Sequence, residues 1–203
     1  MGRTANARSA SRTPVGFSIQ SRPYCRGMLR KIISGGQTGA DRAGLDFANE
    51  AGLEQGGYVP RGRKAEDGRI DDRYRLVELP GRSYAARTKR NVEEGDGTVI
   101  FSLEIKLTGG SELTLSHAIQ TGKTVMRISS AEIQRGKDSF FKRVWRLRRF
   151  IERNGIEVLN VAGSRESEEP GIYAFTLRML RQYWEDRNAP DDMLEYLHSK
   201  GIV

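Results

Sequence analysis

The chain has 203 residues, 37% of them hydrophobic and 30% charged, with a formal net charge of +8. That supplies one sizeable core under a soluble surface, and no stretch approaches the roughly 18 consecutive apolar residues of a membrane helix. A single cysteine, Cys25, excludes an internal disulfide framework, and with only His117 and His198 beside it no zinc site is expected.

Residues 1–28 hold five arginines (Arg3, Arg8, Arg12, Arg22, Arg26) and no Asp or Glu; without them 29 basic residues face 26 acidic ones. The basicity therefore belongs to a leader rather than to the folded body, and nucleic acid is not an expected partner. The leader reads as a disordered tail or a misassigned start, in preference to a transit peptide, with Met28 standing just before the ordered sequence. Residues 29–203 are expected to form one domain.

From there apolar runs and helical patterns alternate. Residues 30–34 form a short buried strand, and 41–51 a helix stopped by Gly52. Residues 57–59 are a second strand, followed by a polar, Gly-rich loop through Asp72, and 75–79 alternate as an edge strand. A polar helix over 83–94 precedes a buried strand at 98–102, a helix at 111–121 and a strand at 124–128. Asp138 is placed to cap a long basic helix ending at Asn154; its arginines are expected on a solvated face. A strand follows at 157–161. Pro170 fits the first turn of the next helix, where Tyr173, Leu177, Leu180 and Trp184 make one apolar stripe. Residues 191–199 close the chain as a helix. Strands separated by helices imply crossover connections, hence a doubly wound, mostly parallel α/β sheet of about five or six strands with helices on both faces.

In such a sheet, ligands gather beyond the carboxyl ends of the strands. The loop after the first strand reads Ser34-Gly35-Gly36-Gln37-Thr38-Gly39-Ala40-Asp41-Arg42 and opens a helix. Glycines let amides approach a ligand, and a helix N-terminus favours an anion. The loop is neither a Walker sequence nor the Gly-x-Gly-x-x-Gly fingerprint. A second Gly-rich helix entry, Thr108-Gly109-Gly110-Ser111 with Thr114, follows the strand that ends at Ser102. A third loop, after the last strand, carries Gly163 and Arg165, the latter either an anion clamp or the surface partner of Glu166 or Glu168. Ser34, Gly35, Gly36, Gln37, Thr38, Gly39, Asp41, Arg42, Ser102, Thr108, Gly109, Gly110, Ser111, Thr114, Gly163 and Arg165 are thus the expected ligand contacts. No nucleophile elbow or Ser/His/Asp set is present, and Glu66, Asp67 and Glu112 are weak acid/base candidates.

These loops, in order, resemble those of the molybdenum cofactor carrier-like family. The matching stretches include Ile33 to Ala43, Pro60 to Gly68, Arg87 to Val92, Asp96 to Ser102, Leu107 to Ser111, Leu159 to Ser167 and Pro170 to Tyr173. That family sits in a Rossmann-like nucleotide-binding superfamily with the lysine-decarboxylase-like phosphoribohydrolases and DNA-processing proteins. The resemblance implies a Rossmann-like fold, homo-oligomerisation, and binding of molybdenum cofactor or another phosphate-bearing, nucleotide-like or pterin ligand by a cytoplasmic carrier or sensor. The alternatives are a hydrolase of the phosphoribohydrolase type and, less favoured, a nucleic-acid-binding module. The phosphoribohydrolase loop Pro-Gly-Gly-x-Gly-Thr-x-x-Glu is replaced here by Thr108-Gly109-Gly110-Ser111-Glu112-Leu113-Thr114, which argues against hydrolysis.

Overall fold

The computed structural model describes residues 29–134 and 139–202, so the basic leader, Cys25 and Asp138 lie outside the described residues. In chain order the elements are β1 (Lys31–Ile33), α1 (Ala40–Glu50), β2 (Glu54–Gly56), β3 (Tyr58–Val59), β4 (Lys64–Ala65), β5 (Gly68–Arg69), β6 (Val77–Glu78) and α2 (Tyr84–Glu94). Then follow β7 (Gly97–Ser102), α3 (Gly109–Gln120), β8 (Thr124–Ser129), α4 (Ser130–Gln134), α5 (Phe140–Arg153), β9 (Val158–Gly163), α6 (Ile172–Glu185) and α7 (Met193–Ser199).

Five strands form one parallel sheet in the order β2-β1-β9-β7-β8. Ile32 lies opposite Gln55 and Leu159, and Val99 opposite Val161 and Met126, which fixes the register. Side chains alternate across a strand. Ile32, Val99, Phe101, Leu159 and Val161 accordingly join one core with α1, α5 and α6. The intervening residues face α2 and α3, which pack on each other and on β7 and β9. Helices therefore cover both faces, as the alternating pattern requires.

The connections run in opposite directions from the middle of the sheet. β1 crosses through α1 to β2 on one side, and β7 crosses through α3 to β8 on the other, with β9 between them. The reversal leaves a crevice above the carboxyl end of β9, because the two crossover helices lie on different faces.

Several expectations are corrected. The strand placed at residues 57–59 is β3, which pairs in parallel with β6 in a separate two-stranded sheet, and the strand beside β1 in the main sheet is β2, at Glu54–Gly56 just before it. The edge strand expected at 75–79 is thereby removed from the main sheet. Gly57 makes the break, at φ 119°, and a Cβ there would lie 2.0 Å from the Ser34 carbonyl oxygen. Helix α3 starts at Gly109, two residues before Ser111, so both glycines belong to its first turn. Pro170 precedes α6, whose N-cap is left-handed Gly171. Ser139 caps α5, its hydroxyl accepting from the Lys142 amide at 3.1 Å.

The basic helix α5 is solvated in part: Arg146 and Arg153 are exposed, whereas Arg148 is buried. Arg148 is 1% exposed and donates to the carbonyls of Asp186 and Ala189 while pairing with Asp191 at 3.2 Å, so it clamps the segment between α6 and α7. Arg149 pairs with Glu152 at 2.9 Å and Arg143 with Glu132. Among the described residues, no helix is long and apolar enough to cross a membrane.

Gly57→Ala adds backbone strain and a clash with Ser34, and should lower unfolding free energy by about 3 kcal/mol. A urea midpoint matching that of the parent chain would show that the strand break does not depend on this glycine.

Candidate functional site

In the first Gly-rich loop the amides of Gly36, Gln37, Thr38 and Ala40 are satisfied by the protein itself. The Ser34 hydroxyl accepts from the Gly36 amide at 3.2 Å and donates to the Asp41 carbonyl at 3.1 Å. The Gln37 amide donates to the Asp41 carboxylate at 3.3 Å, the Thr38 amide to the Gln37 side chain at 3.1 Å, and the Ala40 amide to the Ser164 carbonyl at 3.3 Å. The expectation that these amides are bare for an anion is therefore corrected. The negative charge favoured at the start of α1 is the protein's own Asp41.

Asp41 is 7% exposed, and its partner is Arg87 of α2, with Nη1 at 3.0 Å from the carboxylate. Burial pushes the Asp41 carboxyl above its usual range, while Arg87 and the Gln37 amide pull the other way. Gly35 is what permits the approach, since a Cβ at that position would fall 1.2 Å from Arg87 Nη1.

The second Gly-rich loop is arranged differently. The Ser111 and Glu112 amides donate to the Thr108 carbonyl, at 3.2 and 3.4 Å. Among the described residues, the Gly109 and Gly110 amides make no hydrogen bond, as geometry dictates for the first turn of a helix without a side-chain cap. The hydroxyls of Ser111 (4% exposed) and Thr88 (8%) also lack a protein partner. Arg87 Nε is sealed from solvent and likewise unpartnered.

These groups meet in a cavity of about 200 Å³ at the reversal of strand order. Gly35, Gln37 and Asp41 line it from the first loop, and Gly109, Gly110, Ser111, Leu113 and Thr114 from the second. Asn160, Ala162 and Gly163 form the end of β9 beneath it, with Arg165 and Glu168 beyond. The last wall is α2, through Tyr84, Ala85, Arg87, Thr88 and Asn91. Nine of the expected contacts thus share one cavity: Gly35, Gln37, Asp41, Gly109, Gly110, Ser111, Thr114, Gly163 and Arg165.

The others lie elsewhere. Thr38, Gly39 and Arg42 line a second cleft on the far side of the first loop, with Asp46, Arg73, Tyr74 and Tyr173. There Arg42 pairs with Asp67 at 3.2 Å and donates to the Gly36 carbonyl. Ser34 and Gly36 are buried within the loop, the Ser102 hydroxyl donates to the Glu104 carbonyl at 2.7 Å, and Thr108 is exposed beside the cavity. None of the three acid/base candidates lines the cavity. Glu112 is exposed, Asp67 holds Arg42, and Glu66 accepts from the hydroxyls of Thr38 and Ser167. Partial burial pushes the Glu66 carboxyl up, but the donors from Ser167 and Thr38 outweigh it and hold it below its usual range. These carboxylates anchor loops or face solvent, which leaves the hydrolase reading without its proposed acid and base. Arg165 lines the cavity and stands 3.8 Å from Glu168, the partner of its surface reading.

The sequence reading missed the α2 wall and Asn160. A usable signal was present: Arg87, Thr88 and Asn91 lie on one helical face, and Asn160 interrupts an apolar strand. Asn91 also ties α2 to β3, accepting from the Tyr58 amide at 2.8 Å and donating to its carbonyl at 3.1 Å. His117 is buried on α3 with Nε2 3.1 Å from Glu93, away from the cavity lining.

A parallel sheet covered on both faces, with a polar crevice where strand order reverses, defines a Rossmann-like α/β protein. The chain belongs to the circularly permutated YpsA SLOG family, whose sequence pattern matches residues 32–184. A crystal structure of a "putative molybdenum carrier protein" from Syntrophus aciditrophicus SB is 42% identical, with a TM-score of 0.72, over 76% of this chain and 94% of that one. No curated protein matches.

Removing one member of a buried ion pair leaves the other charge uncompensated. Asp41→Asn should therefore lower stability by about 3 kcal/mol, whereas Asp41→Leu combined with Arg87→Met should recover most of that loss. Urea unfolding of the single and double variants measures both, and a single variant as stable as the parent would contradict the assignment.

Proposed function

We propose that the chain is a binding protein, a carrier or sensor, for a phosphate-bearing nucleotide-like or pterin ligand in the crevice above β9. Molybdenum cofactor, implied by the family resemblance, is one such molecule, and the Syntrophus relative is described as a molybdenum carrier. One observation carries the reading: unpartnered donors from separate elements converge on a single cavity. They are the Gly109 and Gly110 amides of α3 and the hydroxyls of Ser111 on α3 and Thr88 on α2.

An anion at the start of α3 would satisfy the two amides and the Ser111 hydroxyl and would meet the positive end of the helix. Arg165 adds a cation nearby, paired only loosely at 3.8 Å with exposed Glu168, whereas the charge of Arg87 is balanced by buried Asp41 at 3.0 Å. As parts of the same proposal, the protein acts in the cytoplasm as a homo-oligomer, without membrane or nucleic-acid partners.

The test is a thermal-shift screen against inorganic phosphate, nucleoside monophosphates, ADP-ribose, NAD and molybdenum cofactor, with product analysis of each mixture. A true ligand at a hundred times its Kd stabilises by about 2.7 kcal/mol, which raises Tm by roughly 5–10 °C in a chain of this size. Ser111→Ala removes one hydrogen bond to a charged group and should weaken binding about tenfold. The proposal fails if no phosphate-bearing compound shifts Tm, or if Ser111→Ala binds as the parent does. Turnover of a ligand would replace the carrier with an enzyme.

A further inference from the structure

We propose that Tyr84 selects for a planar ring, acting as a stacking platform at the mouth of the cavity, while the enclosed space holds only the phosphate-bearing, hydroxyl-rich end of the ligand. The inference deepens the phosphate-binding reading above and rests on it. Its first support is size. About 200 Å³ falls short of the roughly 300 Å³ at which pockets for whole drug-sized ligands begin.

The second support is the chemistry of the walls. Gln37, Asp41, Thr88, Ser111 and Asn160 are each less than 10% exposed and line the enclosed part. Asp41 accepts from hydroxyls, the others can also donate to hydroxyl or phosphate oxygens, and an apolar ring face placed against the unpartnered Thr88 and Ser111 hydroxyls would leave them unmatched.

The third support is Tyr84 itself. It opens α2 and lines the same cavity, yet is 41% exposed, so its ring sits where the cavity meets solvent. The guanidinium carbon of Arg165 stands 5.8 Å from the ring centroid, and that of Arg87 5.9 Å. A planar ring stacked between Tyr84 and Arg165 needs about 7 Å, two van der Waals contacts of ~3.5 Å each. The Arg165 side chain is 40% exposed and reaches Glu168 only at 3.8 Å, so a small swing opens the slot. A ring placed there stacks on the tyrosine and receives the guanidinium on its other face.

Two probes sharing a sugar phosphate but differing in the ring test this: adenosine 5′-monophosphate and ribose 5-phosphate, titrated calorimetrically. The parent chain should prefer the ring-bearing probe about tenfold, the scale of one aromatic stack. Tyr84→Phe should keep that ratio, and Tyr84→Ala should bring it close to one. The proposal is overturned if Tyr84→Ala keeps the preference, if it weakens both probes equally, or if the parent has no preference. Ribose 5-phosphate binding that is lost on Ser111→Ala would uphold the phosphate reading even then. Failure of both probes to bind the parent would overturn the Tyr84 proposal, while the phosphate reading would still be decided by the wider thermal-shift screen.

Discussion

Asp41 belongs to a helix on one face of the sheet and Arg87 to a helix on the other, and their side chains meet 3.0 Å apart beyond the strand ends. The pair thereby joins the two helical layers at the place where the sheet itself cannot. A buried pair adds little net stability over a well-packed apolar substitute, but losing one partner is costly. Its value here is geometric. It fixes α2 against the first loop, and α2 supplies one whole wall of the cavity.

That arrangement divides the labour between two loops that look alike in sequence. In the first, the amides of Gly36, Gln37 and Thr38 are consumed by Ser34, Asp41 and Gln37, so the loop is a rigid floor carrying a neutralised carboxylate. In the second, no acidic side chain caps the helix, and the Gly109 and Gly110 amides stay open among the described residues. A carboxylate at the start of α1 and open amides at the start of α3 give the cavity one end suited to hydroxyls and one suited to an anion. Both helices carry an acidic residue in the first turn, Asp41 in α1 and Glu112 in α3, so the difference lies in the amides: Asp41 accepts from its own loop, whereas Glu112 is exposed.

The sheet was largely legible because β7 and β9 are mostly apolar runs and glycines stand at one end or both of the helices around them, Gly95 after α2, Gly109 and Gly122 at α3, Gly155 after α5 and Gly171 before α6. The loops were legible for the same reason, since glycine marks where a backbone must turn or approach closely. What escaped were polar side chains buried by tertiary contact. Arg87, Thr88 and Asn91 read only as part of a polar helix, and Arg148 as one cation among many on α5, yet all four are buried. Local composition cannot distinguish such a face from a solvated one. The outcome depends on whether carbonyls, as for Arg148, or a carboxylate, as for Arg87, come to meet it. The break at Gly57 escaped similarly, because its cause is the Ser34 carbonyl, 23 positions away in the chain.

The carboxylates that looked chemical have a mechanical role. Glu66, at the tip of the β4–β5 hairpin, accepts from Thr38 of the first loop and Ser167 of the third, while its own amide donates to Gln37 at 2.9 Å. One residue therefore spans both loops that flank the end of β9, and it does so through Gln37, which lines the cavity. Because Glu66 is largely exposed, each of these bonds is individually modest. Their shared geometry is what restricts the loops, since moving either one breaks contacts to the other. A ligand held by the second loop would thus meet a floor whose shape is already determined, and the ordering cost of binding would fall mainly on the open edge formed by Tyr84, Arg165 and Glu168.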